Sequence, residues 1–421
     1  MKRFALVFLV AAACGGSSSD DPCKGVAGPC VAVHAGATVQ EAQTALINAT
    51  SGTTIAFGEG TFDFDLDLSL TVGGVTIQGQ GMDKTILSFK KQTTGAQGLL
   101  VQTSGSFAMH DIAIEDAKGD CLKVEGADGL HLNHVRTEWT GGPKDTNGAY
   151  GIYPVQSKNV LIENCIAKGA SDTGIYVGQS QDVIIRGNDV EYNVAGIECE
   201  NTNRADVYMN NATHNTGGIL VFNLPGLQVK NAGQTRVFMN MMVDNNTPNF
   251  APAGNIVGQV PTGSGFVGLA AHNVEIFGNT FDNEHTMNLG IASYTLIGNP
   301  NDPQYNVYPD TFYIHDNTFT GTSTMASGPL GGAVLLALAE MTPSTTTVPD
   351  MIWDGVVDPT KALSGDPNHF MPEFNICFQG NGDADWADLM WPTGDAMKPS
   401  TDPAPFNCTH PPLPAVVVPG S

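Results

Sequence analysis

Basic side chains are scarce in this chain: 18 Lys and Arg stand against 42 Asp and Glu, a net charge of −24 over 421 residues. That balance argues against nucleic acid and anionic membrane surfaces as partners, and against a polyanionic glycan unless cations bridge the two. Charged residues of both signs make up only 14%, while there are 49 Gly and 25 Pro, so the chain is rich in turns and poor in helix formers. After residue 13 no apolar run is long enough to span a bilayer. There is no Cys-x-x-Cys-His, so the chain carries no haem of its own. No Gly-rich loop follows a strand and opens a helix, which leaves nucleotide binding unsupported.

What is present is a repeat. Gly followed by Ile recurs at Gly151-Ile152, Gly174-Ile175, Gly196-Ile197 and Gly218-Ile219, with steps of 23, 22 and 22 residues. Within each unit two apolar runs alternate with period two, and Gly, Asn, Asp and Ser fill the gaps. One such unit cannot bury its own apolar face, so the units must stack. The pattern predicts an all-β fold, a right-handed parallel β-helix over 31–340. Leu99, Leu122, Ile152, Ile175, Ile197 and Ile219 form one inward stack, and Phe107, Leu130, Val160, Val183 and Val207 a second. Asn164, Asn188, Asn210, Asn240, Asn279 and Asn317 follow the second strand of successive units. Asn tolerates the left-handed conformation, so a stacked Asn ladder at a coil corner is expected.

The flanks read differently. Lys2 and Arg3, then an apolar run to Ala13, form a signal peptide over 1–13. Val10-Ala-Ala-Ala-Cys14 resembles a bacterial lipoprotein signal, which implies lipid attachment at Cys14, with 14–30 a flexible tether. Ordinary secretion is the alternative. Cleavage removes Lys2 and Arg3, leaving 16 basic residues against 42 acidic ones and a net charge of −26. Cys23 with Cys30, and Cys377 with Cys408, suit disulfides in an oxidising compartment. Cys121, Cys165 and Cys199 fall at or beside inward positions and read as small buried fillers. Thr38-Val-Gln-Glu41 is a capping box that opens a short helix to about Asn48 over the first coil. Phe62, Phe64, Leu66 and Leu68 alternate with Asp63, Asp65 and Asp67, which suits Ca²⁺ or a solvated strand face. Loops are expected at 245–265 and 298–310, strands at Val274–Phe277, Phe312–Ile314 and Ala333–Leu338, and a loop-rich tail with three Trp over 341–421 folded back on the solenoid.

Two resemblances follow from these residues. The capping helix, Gly60-Thr-Phe62 and Val75-Thr-Ile77-Gln-Gly79-Gln-Gly81 resemble the start of pectate-lyase-like (pectin-lyase-like) β-helices. The core Tyr150 to Leu227, with Asn375-Ile-Cys-Phe-Gln-Gly-Asn-Gly-Asp383 and Asn407-Cys-Thr-His-Pro-Pro-Leu-Pro414, resembles a family of exported bacterial proteins, often lipoproteins, with right-handed β-helix repeats. The likeness covers nearly all of the mature chain. It implies export to the periplasm, outer membrane or cell surface, with contact to the membrane only through the lipid anchor. It also implies association with a companion exported protein, in some cases a dihaem c-type cytochrome. It brings no established reaction and so no catalytic residues.

Strand alternation supplies the candidate sites. Aligned on the Gly-Ile pairs, Leu100, Lys123, Tyr153, Tyr176, Glu198 and Leu220 form an outward column with neighbours about 4.8 Å apart. Aromatic faces with polar tips suit sugar rings, and mixed charges offer acid–base partners. The first reading is a protein that binds a glycan or the companion exported protein through this face, with Gln156 and Gln179 beside Tyr153 and Tyr176; the alternative is an enzyme acting on an extracellular glycan. In a lyase or epimerase Lys123 would act on the proton α to a carboxyl group and a tyrosine on the leaving oxygen. Glu198 and Glu200, about 6.6 Å apart on one strand face, also suit the carboxylate pair of an inverting hydrolase; a lyase or epimerase is the preferred enzyme class. The tyrosines would equally serve as cross-strand stabilisers. His110, Asp111, His131 and His134 cluster on adjacent coils and could hold a transition metal or form a solvated polar face.

Overall fold

The computed structural model describes residues 21–321, 348–390 and 399–420. The signal peptide, Cys14, most of the tether, the strand expected at Ala333–Leu338 and Trp391 lie outside the described residues.

Each repeat becomes one coil of three parallel strands. The coil at the centre runs Thr173–Gly178, Gln181–Arg186 and Asp189–Glu191, and each strand pairs with its equivalent one coil later. Eleven strands make the first wall of the prism. Twenty make the other two, joined because Phe107–Glu115 and Asp128–Glu138 run through the corner and pair on both walls. Asp111 and His134 take positive φ at 57° and 52°, which bends those two long strands. Parallel crossovers of this kind are right-handed.

The inward column of the first wall has the expected register, Leu99, Leu122, Ile152, Ile175, Ile197 and Ile219, and continues through Phe266, Leu289, Met351 and Trp386. Period-two alternation sends these residues into the prism, where they are buried. Each such side chain contributes about 1.5–3 kcal/mol. The Gly before each Ile is a packing requirement. A Cβ on Gly196 would lie 2.6 Å from the Gly218 carbonyl oxygen and 3.0 Å from Asn215 Nδ2.

Polar ladders seal the two corners of the third wall. Asn188, Asn210, Asn240, Asn279, Asn317 and Asn381 are buried. Each passes Nδ2 to the next Oδ1 at 2.9–3.1 Å, and that oxygen also accepts the backbone N–H of the preceding ladder residue. Asn164 is not in this ladder. Cys165 stands there and donates its N–H to Asn188 Oδ1 at 2.8 Å, while Asn164 is exposed. The left-handed residue is the one before each rung: Asn164, Gly187, Met209, Met239, Gly278, Asp316 and Gly380. A second ladder, Asn193, Asn215, Asn245 and Glu284, escaped the sequence reading.

Other expectations shift. Val183 pairs with Ala205, and Val207 belongs to the neighbouring column with Ile185, two residues along. The alternation after Phe62 breaks in a turn at 65–66, so Leu66 is 38% exposed rather than inward, and Asp63 pairs with Lys91 at 2.9 Å. The three Asp therefore do not share one strand face, and the Ca²⁺ reading loses its geometry. Stacking also runs past the boundary expected at 340, because Met351–Trp353, Ile376–Gln379 and Trp386–Asp388 all join the walls.

Both ends are tied down. Helix α1 (Val39–Ile47) has the expected capping box, and it buries Val39, Ala42, Ala45 and Leu46. Gln43 pairs with the backbone of Ser69 in both directions, at 2.9 and 2.8 Å, and so satisfies the open edge of the first-wall strand Leu68–Leu70. The disulfides Cys23–Cys30 and Cys377–Cys408 are formed, and Cys121, Cys165 and Cys199 are buried thiols. From Cys408 a proline-rich segment crosses the second wall along one outward column: Cys377, Tyr313, Glu275, Arg236, Asp206, Ile184, Leu161. Leu413 N–H donates to Glu275 at 2.9 Å, Val416 N–H donates to Asp206 at 3.0 Å, and Val418 packs on Leu161 and Ile184. Ten extended residues at about 3.1 Å span about 31 Å, which matches six strand spacings of about 4.8 Å.

Candidate active site

The outward column of the first wall is in the expected register: Leu100, Lys123, Tyr153, Tyr176, Glu198 and Leu220. It divides between an open rim and a covered pocket. Lys123 and Tyr153 are half-buried, whereas Tyr176, Glu198 and Leu220 are buried, with Glu198 facing 255–257 and Leu220 packed with Val257 and Val260 of the 245–265 loop. From Leu220 onward the outer surface of the wall is apolar. Phe222, Val267, Leu269 and Met287 pack there against Val257 and Val260 of the loop, which explains why the insertion lies flat.

At the rim, Lys123 Nζ stands 5.1 Å from the centre of the Tyr153 ring and 3.6 Å from Glu125 Oε2. Tyr150, Tyr153 and Tyr176 form a mutual cluster with centroids 4.5, 4.6 and 5.0 Å apart. Burial and nearby carboxylates push the Tyr153 hydroxyl up to about 12 and push those of Tyr150 and Tyr176 far above the usual phenol range. All three are neutral donors at physiological pH.

Below them lies a cavity of about 360 Å³ lined by Tyr150, Asp172, Glu198, Glu200, Leu224 and the 255–257 turn of the loop. Asp172, Glu198 and Glu200 are 6%, 2% and 8% exposed. Thr173 Oγ1 donates to Glu198 Oε2 at 2.8 Å and lies 3.0 Å from Asp172 Oδ1, while Asn255 Nδ2 donates to Asp172 Oδ2 at 3.1 Å. Tyr176 OH donates to Glu200 Oε1 at 2.7 Å. Among the described residues no Lys, Arg or His forms an ion pair with any of the three carboxyl groups. Desolvation therefore dominates, raising Asp172 to about 7 and Glu198 well above the carboxylate range, with the charges of its two neighbours adding to the effect on Glu198. Glu200 is also raised by burial, and the Tyr176 hydrogen bond opposes that rise. A carboxyl kept protonated by burial is what a general acid requires, and the Tyr176 hydrogen bond sets the environment of Glu200 apart from that of Glu198.

Period-two reasoning does not reach Asp172 and Tyr150, because Tyr150 opens a first-wall strand and Asp172 stands just before one. Tyr150 shares the parity of inward Ile152 but stacks outside, on Tyr153 and Tyr176. Cys199, between the two glutamates, points inward, and burial raises its thiol to about 12. Gln156 and Gln179 do not line the carboxyl pocket. They line a separate depression of about 220 Å³ on the second-wall side of the 223–229 loop, where Gln179 Oε1 accepts the Gln228 N–H at 2.9 Å.

The histidine cluster divides, with two histidines on Asp111 and one on Glu163. His110 Nδ1 lies 2.8 Å from Asp111, His134 lies 3.7 Å from the same carboxylate, and His131 turns away to Glu163 at 2.9 Å. Among the described residues no group of three or more His, Cys, Asp or Glu side chains could hold a metal ion. The metal reading of His110, Asp111, His131 and His134 is withdrawn for that reason.

A stack of parallel coils with polar corner ladders defines the class of protein. Residues 97–233 and 144–299 match the family described as "right handed beta helix region", and over that stretch the chain belongs to the right-handed parallel β-helix family. No curated protein matches the chain. Among solved structures it is similar to the alginate lyase of Paenibacillus sp. str. FPU-7, with 17% identity, 69% of this chain, 95% of that chain and TM-score 0.46. It is also similar to the A-module of mannuronan C-5 epimerase AlgE4 of Azotobacter vinelandii, with 16%, 67%, 82% and 0.44. The family 28 exopolygalacturonase of Yersinia enterocolitica gives 13%, 70%, 65% and 0.43. Similarity at this level carries nothing about the reaction.

Proposed function

We propose that the protein is an exported carbohydrate-active protein that binds a glycan along the Lys123–Tyr153 rim and acts on it by acid–base hydrolysis in the pocket below. One observation carries this reading: carboxyl groups without a cationic partner, buried at the base of an accessible cavity walled by tyrosine. A general acid needs a carboxyl held in its protonated form, and here the buried carboxyls line an accessible cavity, whereas Glu284 is tied into a corner ladder. Glu198 donates its proton to the glycosidic oxygen as the C–O bond breaks. Glu200, held by Tyr176, takes a proton from the attacking water, so that the hydroxyl is delivered to the sugar carbon. Two residues apart on one strand, the pair suits inversion. Lys123, a candidate base for a lyase, stands at the rim over Tyr153 and pairs with Glu125. A uronate at the pocket would meet three more carboxyls, so hydrolysis now ranks above elimination or epimerisation.

The test is a panel of oligosaccharides assayed for new reducing ends and for absorbance at about 235 nm, the signature of a lyase product. Turnover that disappears in Glu198→Gln with binding retained supports the reading. Binding without turnover on every oligosaccharide reduces the protein to a glycan-binding lipoprotein, and a 235 nm product restores the lyase. Export is supported by the N-terminal signal and by the two disulfides. Labelling with a radioactive fatty acid, lost in Cys14→Ser, tests the anchor. Recovery of a c-type cytochrome from membranes with the tagged protein tests the companion-protein reading.

A further inference from the structure

We infer that the sugar taken by this pocket carries a free ammonium group, and that Asp172 is the residue that recognises it. The inference rests on the carbohydrate reading of the pocket and narrows its substrate class. Among the described residues every donor that reaches Asp172, Glu198 and Glu200 is neutral: the hydroxyls of Thr173 and Tyr176 and the amide of Asn255. An ionised carboxylate offers about four acceptor sites, and Asp172 uses one on each oxygen. Glu198 Oε1 and Glu200 Oε2 take no hydrogen bond from the described residues, and both side chains line the cavity. Glu200 also repels Asp172 electrostatically. A cation placed against Asp172 relieves that repulsion.

The walls favour the same ligand. Tyr150 lines the cavity, and a tyrosine face within about 6 Å attracts an ammonium. The chain already seats one ammonium in this way, Lys123 over Tyr153 at 5.1 Å, on the adjoining ring of the same cluster. At long range the net charge of −24 draws in a polycation and repels a polyuronate. A volume of about 360 Å³ falls in the range of small-ligand sites and suits one or two sugar units. Together these features describe an oligomer of de-N-acetylated hexosamine.

Calorimetry on the full chain, with glucosamine oligomers, their N-acetylated counterparts and glucose oligomers of equal length, tests the assignment. The free-amine oligomer should bind about tenfold tighter than the N-acetylated one, the factor one charge-assisted hydrogen bond supplies. The advantage should shrink with added salt and vanish in Asp172→Asn. Equal wild-type affinity for the amine and N-acetyl oligomers overturns the inference, a comparison that needs no variant to fold. So does selectivity unchanged in a folded Asp172→Asn. Amine-selective binding without cleavage leaves the inference standing and removes the hydrolysis reading. Cleavage without regard to the amine does the reverse.

Discussion

Replacing Asn210 by Ala is the sharpest probe of what holds the coils in register. Its Oδ1 accepts the backbone N–H and the Nδ2 of Asn188, at 3.0 and 2.9 Å. Its Nδ2 donates to the Ile185 carbonyl at 2.9 Å and to Asn240 Oδ1 at 3.0 Å. Ala removes all four bonds and strips the buried Asn188 backbone N–H and one of the two Asn188 Nδ2 hydrogens of their acceptor; the other Nδ2 hydrogen keeps the Ile162 carbonyl, and Asn240 Oδ1 keeps the Asn210 backbone N–H. At about 1–3 kcal/mol for each of these two buried donors, with the two bonds from the Asn210 Nδ2 lost as well, the loss should be at least about 3 kcal/mol. Asn164→Gly is the control, since Asn164 sits at the same corner but is exposed, and Gly accepts its φ of 54°. That change should stay within about 0.5 kcal/mol. Guanidinium unfolding followed by circular dichroism measures both. A loss below about 1 kcal/mol for Asn210→Ala would show that the ladder is an ornament of the fold and would refute the reasoning.

Further expectations concern acid, packing and the tail. Burial raises Glu284 to about 8, Asp172 and Asp388 to about 7, and Asp354 and Asp120 to about 6. A carboxyl whose folded pKa is raised stabilises the fold fully below its unfolded pKa and loses that contribution as pH climbs through the folded value. Thermal stability should therefore fall between about pH 4 and pH 8, and Glu284→Gln should flatten the upper part of the curve; a midpoint that rises over this window contradicts the assignments. Ile175→Ala, in the middle of the inward column, should cost about 2–5 kcal/mol by denaturant titration, and a cost under about 1 would mean the column is not the core. Cys408→Ser opens a crosslink with a sequence separation of 31 residues and should cost about 3–4 kcal/mol. It should also speed amide exchange at Leu161 and Ile184, which unchanged exchange would disprove.

The register of the coils was legible because two signals agree at each position: a β-branched inward residue, and a preceding Gly that only a neighbouring backbone can require. Where one signal was weak, the reading slipped. Val207 was preferred to Ala205 because Ala advertises little apolar area. Asn164 reads as a rung because Asn suits both the left-handed turn and the ladder, although in the fold these roles fall on successive residues. The strands beyond 340 lack the Gly-Ile signature and were read as loop. For the site, strand parity supplied Lys123, Tyr153, Tyr176, Glu198 and Glu200. Whether a column is open or roofed depends on where a long insertion lands, which parity does not encode. Asp172 and Tyr150 come from strand ends, where alternation gives no direction.

The C-terminal segment across the second wall changes how the stack responds to damage. In a solenoid each coil touches only its neighbours, so unfolding can start at either end and unzip one repeat at a time. Here residues 408–418 bind coils far apart in the ladder, from Cys377 to Leu161. To fray, the last coils must first peel a covalently anchored segment from the middle of the stack. A one-dimensional array thereby gains a long-range term, and its unfolding should be nearer to a single concerted event than the repeat architecture alone would give.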